Sequence, residues 1–100
     1  MELKDNSGRL EIDLPGVVDL PTSAELRDIL LDALARDSAA DVVLKAGGVE
    51  RLSTACVQVM LAAAAGFKGA ARRLEEESPS AALTETFRQH GLAADLQKLI

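Results

Sequence analysis

Two adjacent hydroxyls, Ser53 and Thr54, are the side chains of this sequence whose position best suits chemistry. They follow the segment Val49–Leu52 and directly precede a long apolar run. This order predicts that the pair lies where an extended segment passes into a helix, beside free backbone N–H groups and the positive end of the helix dipole. Such a position suits a reversible phosphate or a docking partner better than it suits chemistry on a small substrate.

The hydroxyl pair has two interpretations, and the sequence leaves both open. In the first, one hydroxyl only caps the following helix and stabilises it by about 1 kcal/mol. In the second, a kinase phosphorylates Thr54 or Ser53, adding about two negative charges and three acceptor oxygens. A helix N-terminus accommodates that phosphate, whereas a partner docked on the same surface is repelled by it.

No enzyme constellation is visible elsewhere, and we expect neither a catalytic residue nor a metal site nor a cofactor. His90 is the only histidine, and it is predicted at a helix end, where the C-terminal dipole favours an imidazolium. Cys56 is the only cysteine, so it has no thiol partner for a disulfide or a metal. We expect it to pack as a small apolar residue, the alternative being a thiol made reactive by the helix N-terminus. The acidic run Glu75–Glu77 is expected to be a solvated loop.

The composition describes one globular domain over residues 1–100. The chain is 48% hydrophobic with a net charge of -5, and its only aromatic residues are Phe67 and Phe87. It therefore has neither the basic stripe nor the stacking platform that nucleic-acid binding needs. The start of the chain does not have the pattern of a signal peptide, and the apolar run Val57–Phe67 is too short to cross a bilayer. We expect a cytoplasmic protein without direct membrane insertion.

Four segments are predicted to be strands. Arg9–Leu14 alternates polar and apolar residues, Val17–Leu20 follows the Pro15-Gly16 break, and Asp41–Lys45 is the apolar run of a strand covered on both faces. Ala70–Glu75 is assigned to a fourth strand because it lies between two helices, where an alternating chain needs one.

Helical periodicity and end signals predict four helices, which cover Ser23–Arg36, Thr54–Ala65, Pro79–His90 and Leu92–Ile100. The first begins with the capping box Thr22–Glu25, and Gly66 and Gly91 are expected to end the second and third. Ser78 is expected to cap the third. The sequence thus predicts an α/β (α+β) fold, a four-to-five-stranded mixed sheet with three to four helices packed mainly on one face.

The chain resembles STAS domains, the family of anti-sigma factor antagonists and sulfate-transporter tails, from about Gly8 to Leu99. The resemblance is carried by the segment Gly16–Leu20 before the first helix and by the hydroxyl motif. In the family an aspartate, a phosphorylated hydroxyl residue, a small residue, glycine, leucine and glycine begin the second helix. The positions taken here, in that order, are Ser53, Thr54, Ala55, Cys56, Val57 and Gln58.

The departures from this motif point to two branches of the family. Ser53 replaces the carboxylate before the acceptor, and Cys56 and Gln58 replace the glycines. The run from Leu52 to Leu61 is similar to a branch in bacterial chemotaxis operons whose members tend to lack the acceptor hydroxyl. Thr54-Ala55 instead matches the centre of the motif in the STAS subunit of phospholipid-trafficking ABC transporters, where the threonine loop would bind the ATPase.

The resemblance implies a non-enzymatic bacterial signalling regulator that binds a kinase, either a serine kinase of the anti-sigma factor type or a chemotaxis histidine kinase. We expect an exposed apolar position at Val57 to contribute to the binding surface. The alternative is the subunit that binds the ATPase of a phospholipid transporter. The residues expected to bind the partner are Ser53, Thr54, Ala55, Cys56 and Val57.

Overall fold

A computed structural model describes residues 1–6, 8–36 and 40–99 of the chain. In chain order the elements are β1 (Leu3–Asn6), β2 (Arg9–Asp13), β3 (Val17–Val18), α1 (Leu20–Ala35), β4 (Val42–Lys45), β5 (Arg51–Leu52), α2 (Thr54–Gly69), β6 (Leu74–Glu77), α3 (Ala81–Gln89) and α4 (Ala93–Gln97).

The main sheet is mixed and has the strand order β1-β2-β4-β6. β4 pairs in parallel with β2 and β6, and β1 pairs antiparallel to β2 at one edge. The prediction of a central strand over Asp41–Lys45 is confirmed, since Val42, Val43 and Leu44 are fully buried. Alternation along this strand sends Val42 and Leu44 to one face and Val43 to the other.

Each of the helices α1 to α4 in the described residues contributes buried side chains to one core on a single face of this sheet. The even-numbered residues of β2 and β4 join that core, together with Leu26 of α1, Met60 of α2, Leu83 of α3 and Leu96 of α4. The predicted fold class is therefore confirmed.

The opposite face of the sheet carries charge pairs. The Lys45 ammonium lies 3.4 Å from the Glu11 carboxylate. The Arg9 guanidinium of β2 lies 2.8 Å from the Glu77 carboxylate of β6, so this pair spans β4, which lies between the two strands. Val43 lies between Glu11 and Glu75 in the strand register. Among the described residues no helix covers this face, and its central strand is nevertheless buried.

The predicted strand over Val17–Leu20 does not belong to the main sheet. Only Val17 and Val18 are extended, and they pair in parallel with β5 in a separate two-stranded sheet. The fourth strand of the main sheet is instead β1, which the sequence did not indicate. Three of its four side chains are polar and exposed, so this edge strand lacks the apolar alternation on which the prediction depended.

α1 begins three residues earlier than predicted, and the capping box over Thr22–Glu25 is wrong. Asp19 caps the helix, because its carboxylate accepts from the Thr22 N–H at 3.0 Å and from the Thr22 hydroxyl at 2.7 Å. These bonds hold the pKa of Asp19 below its usual range. Pro21 fits the first turn, where no backbone donor is needed.

Two other helix ends differ from the prediction. α2 continues past Gly66 to Gly69, and a Cβ on Gly66 would lie 3.4 Å from the Leu34 side chain, so this glycine permits close packing of α1 and α2. α3 is capped by Ser80 rather than Ser78 and begins at Ala81. Gly91, with a φ of 72°, follows α3 in the left-handed conformation expected of a helix stop.

The predicted strand over Ala70–Glu75 is displaced along the chain to Leu74–Glu77. Ala70 still belongs to the end of α2, where its N–H caps the helix. The acidic run is consequently a strand, and the expectation of a solvated loop is wrong. The last helix is shorter than predicted, and Ile100 lies outside the described residues.

Candidate functional site

Ser53 joins the small sheet to α2. Its N–H donates to the Val18 carbonyl at 2.9 Å, which fixes the turn against β3. Its side-chain oxygen accepts from the Cys56 N–H at 3.2 Å, so Ser53 is the N-cap of α2. The capping interpretation of the hydroxyl pair is correct for Ser53.

The Ser53 hydroxyl already donates its proton in a hydrogen bond. Its oxygen lies 2.9 Å from the hydroxyl oxygen of Ser23, which is buried in α1, and the Ser23 oxygen lies 2.7 Å from the Asp19 carbonyl. Because a carbonyl only accepts, Ser23 donates to Asp19, and Ser53 must donate to Ser23. This chain of bonds ties the first turns of α1 and α2 together.

Thr54 is exposed at the first position of α2. Its hydroxyl oxygen lies 3.2 Å from Nε2 of His90, which follows α3. Nδ1 of the same ring lies 2.7 Å from the Thr86 carbonyl oxygen. His90 does lie at the predicted helix end. No sequence pattern pairs His90 with Thr54, because 36 residues separate them and the packing of α3 against β5 brings them together.

Cys56 and Val57 point inward from the same turn. Val57 is 1% exposed, so the expectation of an exposed apolar position there is wrong. The helix turns Cys56, Val57 and Met60 toward the sheet and leaves Thr54 and Gln58 in solvent.

Cys56 is buried, as expected, and its burial opposes the alternative of a reactive thiol. Burial raises the pKa of its thiol to about 12, and the negative charge of Glu76 acts in the same direction. The hydrogen bond with Ser23 lowers the pKa, but it does not offset burial. A thiol with this pKa has almost no thiolate near neutral pH.

An apolar groove of about 560 Å³ runs between α1 and α2 from this turn. Leu20 and Leu31 line it and are 67% and 56% exposed, although both are large hydrophobic side chains. Ala55 and Val59 form the α2 side of the groove. Exposed apolar patches are common features of protein interaction surfaces.

Within residues 1–6, 8–36 and 40–99, no three His, Cys, Asp or Glu side chains are placed to hold a metal ion. None of the helices in the described part of the chain is both long enough and apolar enough to span a membrane.

The fold is consistent with that of a STAS domain, and comparison with known families agrees. The model of the STAS_2 family, described as "Mlab, STAS domain", matches residues 1–100, so the chain belongs to this family. No curated protein matches the chain. STAS domains are regulatory domains that mediate protein–protein interactions, and in general they are not catalytic.

Proposed function

We propose that this STAS domain is a non-enzymatic regulator of bacterial signalling that binds a partner kinase in the cytoplasm. The binding surface, called the docking face below, consists of Leu20, Leu31, Thr54, Ala55 and Gln58. The observation that carries the proposal is the exposed Leu20 at the mouth of the groove that Ala55 also lines. An exposed leucine beside an exposed helix start gains most from a protein partner, which removes its apolar surface from water.

Three further residues of the motif act beneath this surface. Ser53 caps α2, while Cys56 and Val57 anchor its first turn in the core. Their contribution to binding is to hold Thr54 and Ala55 in place.

Phosphorylation of Thr54 would control this interaction. Of the two hydroxyls, Thr54 is the exposed one, whereas the Ser53 hydroxyl is engaged with both Ser23 and Cys56. A phosphate on Thr54 would place about two negative charges at the docking face and repel a partner seated there. The candidate partners are a serine kinase of the anti-sigma factor type, which would also phosphorylate Thr54, and a chemotaxis histidine kinase, which would only bind.

A second candidate function uses the same face. Thr54-Ala55 resembles the centre of the motif in the STAS subunit that binds the ATPase of a phospholipid-trafficking ABC transporter, which favours that role. Thr54 and Ala55 would then contact the ATPase directly. An ATPase partner needs the exposed hydroxyl as a contact rather than as a phosphate acceptor.

Site-specific photocrosslinking in cells distinguishes these functions. A photoreactive residue at Leu20 is compared with one at Lys4, which is exposed on the opposite face of the sheet. We expect Leu20 to crosslink to a kinase domain, identified by mass spectrometry, and Lys4 not to do so. An ATPase at Leu20 would establish the second function instead. Equal crosslinking from both positions would contradict the docking face.

A further inference from the structure

The Thr54 hydroxyl faces a histidine ring whose other nitrogen is fixed. Nδ1 of His90 is 2.7 Å from the Thr86 carbonyl oxygen, and Nε2 is 3.2 Å from the Thr54 hydroxyl oxygen. Thr54 belongs to α2, Thr86 lies in the last turn of α3, and His90 directly follows α3. Two separate helices therefore build the arrangement.

The Thr86 carbonyl decides the tautomer of the neutral ring. A carbonyl oxygen only accepts, so Nδ1 of His90 must carry the proton that it donates to Thr86. Nε2 then carries a lone pair, and the Thr54 hydroxyl donates to it. A hydroxyl, a base within hydrogen-bond reach and a third group that orients the base are the parts of an activated oxygen nucleophile.

We propose that His90 is the base that takes the Thr54 proton when a partner serine kinase phosphorylates this hydroxyl, a role that rests on the proposed function. The Thr54 oxygen attacks the γ-phosphorus of the nucleoside triphosphate held by the kinase. The new O–P bond forms as the bond to the bridging oxygen breaks, and the nucleoside diphosphate leaves with that electron pair. The hydroxyl proton moves to Nε2 of His90.

The product state uses the same two residues. The transferred proton makes His90 an imidazolium, placed directly beside the new phosphate on Thr54. The N-terminus of α2 favours the phosphate. His90 therefore both accepts the proton and holds the modified side chain.

One part of the test needs no partner. The chain contains a single histidine, so its ring nitrogen signals in a ¹⁵N NMR spectrum are unambiguous. At a pH where the ring is neutral, we expect the tautomer protonated at Nδ1 to predominate by at least about tenfold. A ring protonated at Nε2 would overturn the proposal, because such a nitrogen cannot accept the Thr54 proton.

The second part measures phosphate transfer from ATP to the protein by the kinase that the crosslinking experiment identifies. His90→Gln and His90→Phe are compared with the wild type and with Gln89→Ala, an exposed neighbour. Loss of a general base slows the reaction by about 10² to 10⁴-fold, so we expect both His90 variants to slow transfer by at least about 10²-fold. Gln89→Ala should match the wild type, and Thr54→Val should take no phosphate.

Binding of the same variants to the kinase separates the two proposals. We expect the His90 variants to bind as the wild type does, so that only transfer is slowed. If the kinase binds and phosphorylates His90→Gln at the wild-type rate, the role of His90 is overturned and phosphorylation stands. If the kinase binds but never phosphorylates Thr54, this inference fails and the docking face stands. If no kinase binds, the proposed function fails and this inference fails with it.

Discussion

Glu76 is a carboxylate inside the core. It lies opposite Leu44 in the strand register and faces the helices, with 3% of its surface exposed. Neither of its carboxylate oxygens has a hydrogen-bond partner among the described residues. Burial raises its pKa from 4.5 to about 7, because the charged form loses its hydration. Between pH 4.5 and about pH 7, the carboxyl of Glu76 therefore keeps its proton in the folded protein and loses it in the unfolded chain.

This proton makes stability fall as the pH rises. The contribution of Glu76 is most favourable below its unfolded pKa of 4.5 and is lost as the pH rises to about 7. Over that interval the loss is roughly 3 kcal/mol. We expect Glu76→Gln to be more stable than the wild type at about pH 8 and to lose that advantage near about pH 5.

Chemical denaturation at both pH values measures this difference. Glu75→Gln is the matched control, since the neighbouring Glu75 points to the opposite face and pairs with Arg73. It should not share the pH dependence. An advantage of Glu76→Gln that is equal at both pH values would contradict a buried, titrating carboxylate.

Cys56 should be inert in the folded protein. With its thiol buried and its pKa at about 12, the native protein should react with a disulfide reagent at least about 10²-fold more slowly than the protein unfolded in guanidinium. The rate of colour release measures both states. Immediate reaction of one thiol in the native protein would show that the first turn of α2 opens readily.

At the scale of the elements, the bond between Ser23 and Ser53 holds two helices together. We expect Ser53→Ala to destabilise the protein by about 1–2 kcal/mol, because it removes both the cap of α2 and the partner of Ser23. Thr54→Ala, at the adjacent exposed position, should change stability by less than about 0.5 kcal/mol. A double-mutant cycle of Ser23→Ala and Ser53→Ala measures the coupling, and additive losses would show that the shared bond contributes nothing.

Arg72 links α1 to the segment before β6. Its guanidinium donates to the Ala33 and Leu34 carbonyls at 2.9 and 3.1 Å and lies 5.0 Å from the centre of the Phe67 ring. We expect Arg72→Met to cost roughly 2–4 kcal/mol, since it leaves the end of α1 without these donors.

Arg73→Met is the matched control for this link. Arg73 is exposed and paired only with Glu75 among the described residues, so its loss should cost less than about 0.5 kcal/mol. Thermal or denaturant unfolding compares the two variants. Equal losses would contradict the role of Arg72 as a link between elements.

At the scale of the molecule, sequence patterns predicted those strands and helices whose formation depends on their own residues. Apolar patterns identified β2, β4 and the three longer helices, because β2 and these helices have an apolar face that the core covers and β4 is an apolar run buried on both faces. The polar edge strand β1 has no such face. Glu76 misled the prediction because an unpaired buried carboxylate is rare, so an acidic run ordinarily indicates solvent.

The candidate site likewise has one feature that the sequence could predict and contacts that it could not. The position of Thr54 at a strand-to-helix turn could be predicted, since such turns lie at the surface. The bonds of Ser53 to Ser23 and of Thr54 to His90 could not, because they join residues 30 and 36 positions apart. Only tertiary packing creates these contacts, and a single sequence carries no record of them.

The affinity of the Thr54→Glu variant for the partner that crosslinking identifies tests the docking face most directly. The new carboxylate should weaken binding by at least about tenfold, or 1.4 kcal/mol, through repulsion and desolvation. It should leave the melting temperature nearly unchanged, because an acid is favourable at a helix N-terminus. Gln97→Glu, which adds the same charge on α4, should bind as the wild type does. Wild-type affinity of Thr54→Glu, or a loss of binding that accompanies unfolding, would contradict the assignment of this surface as the interface.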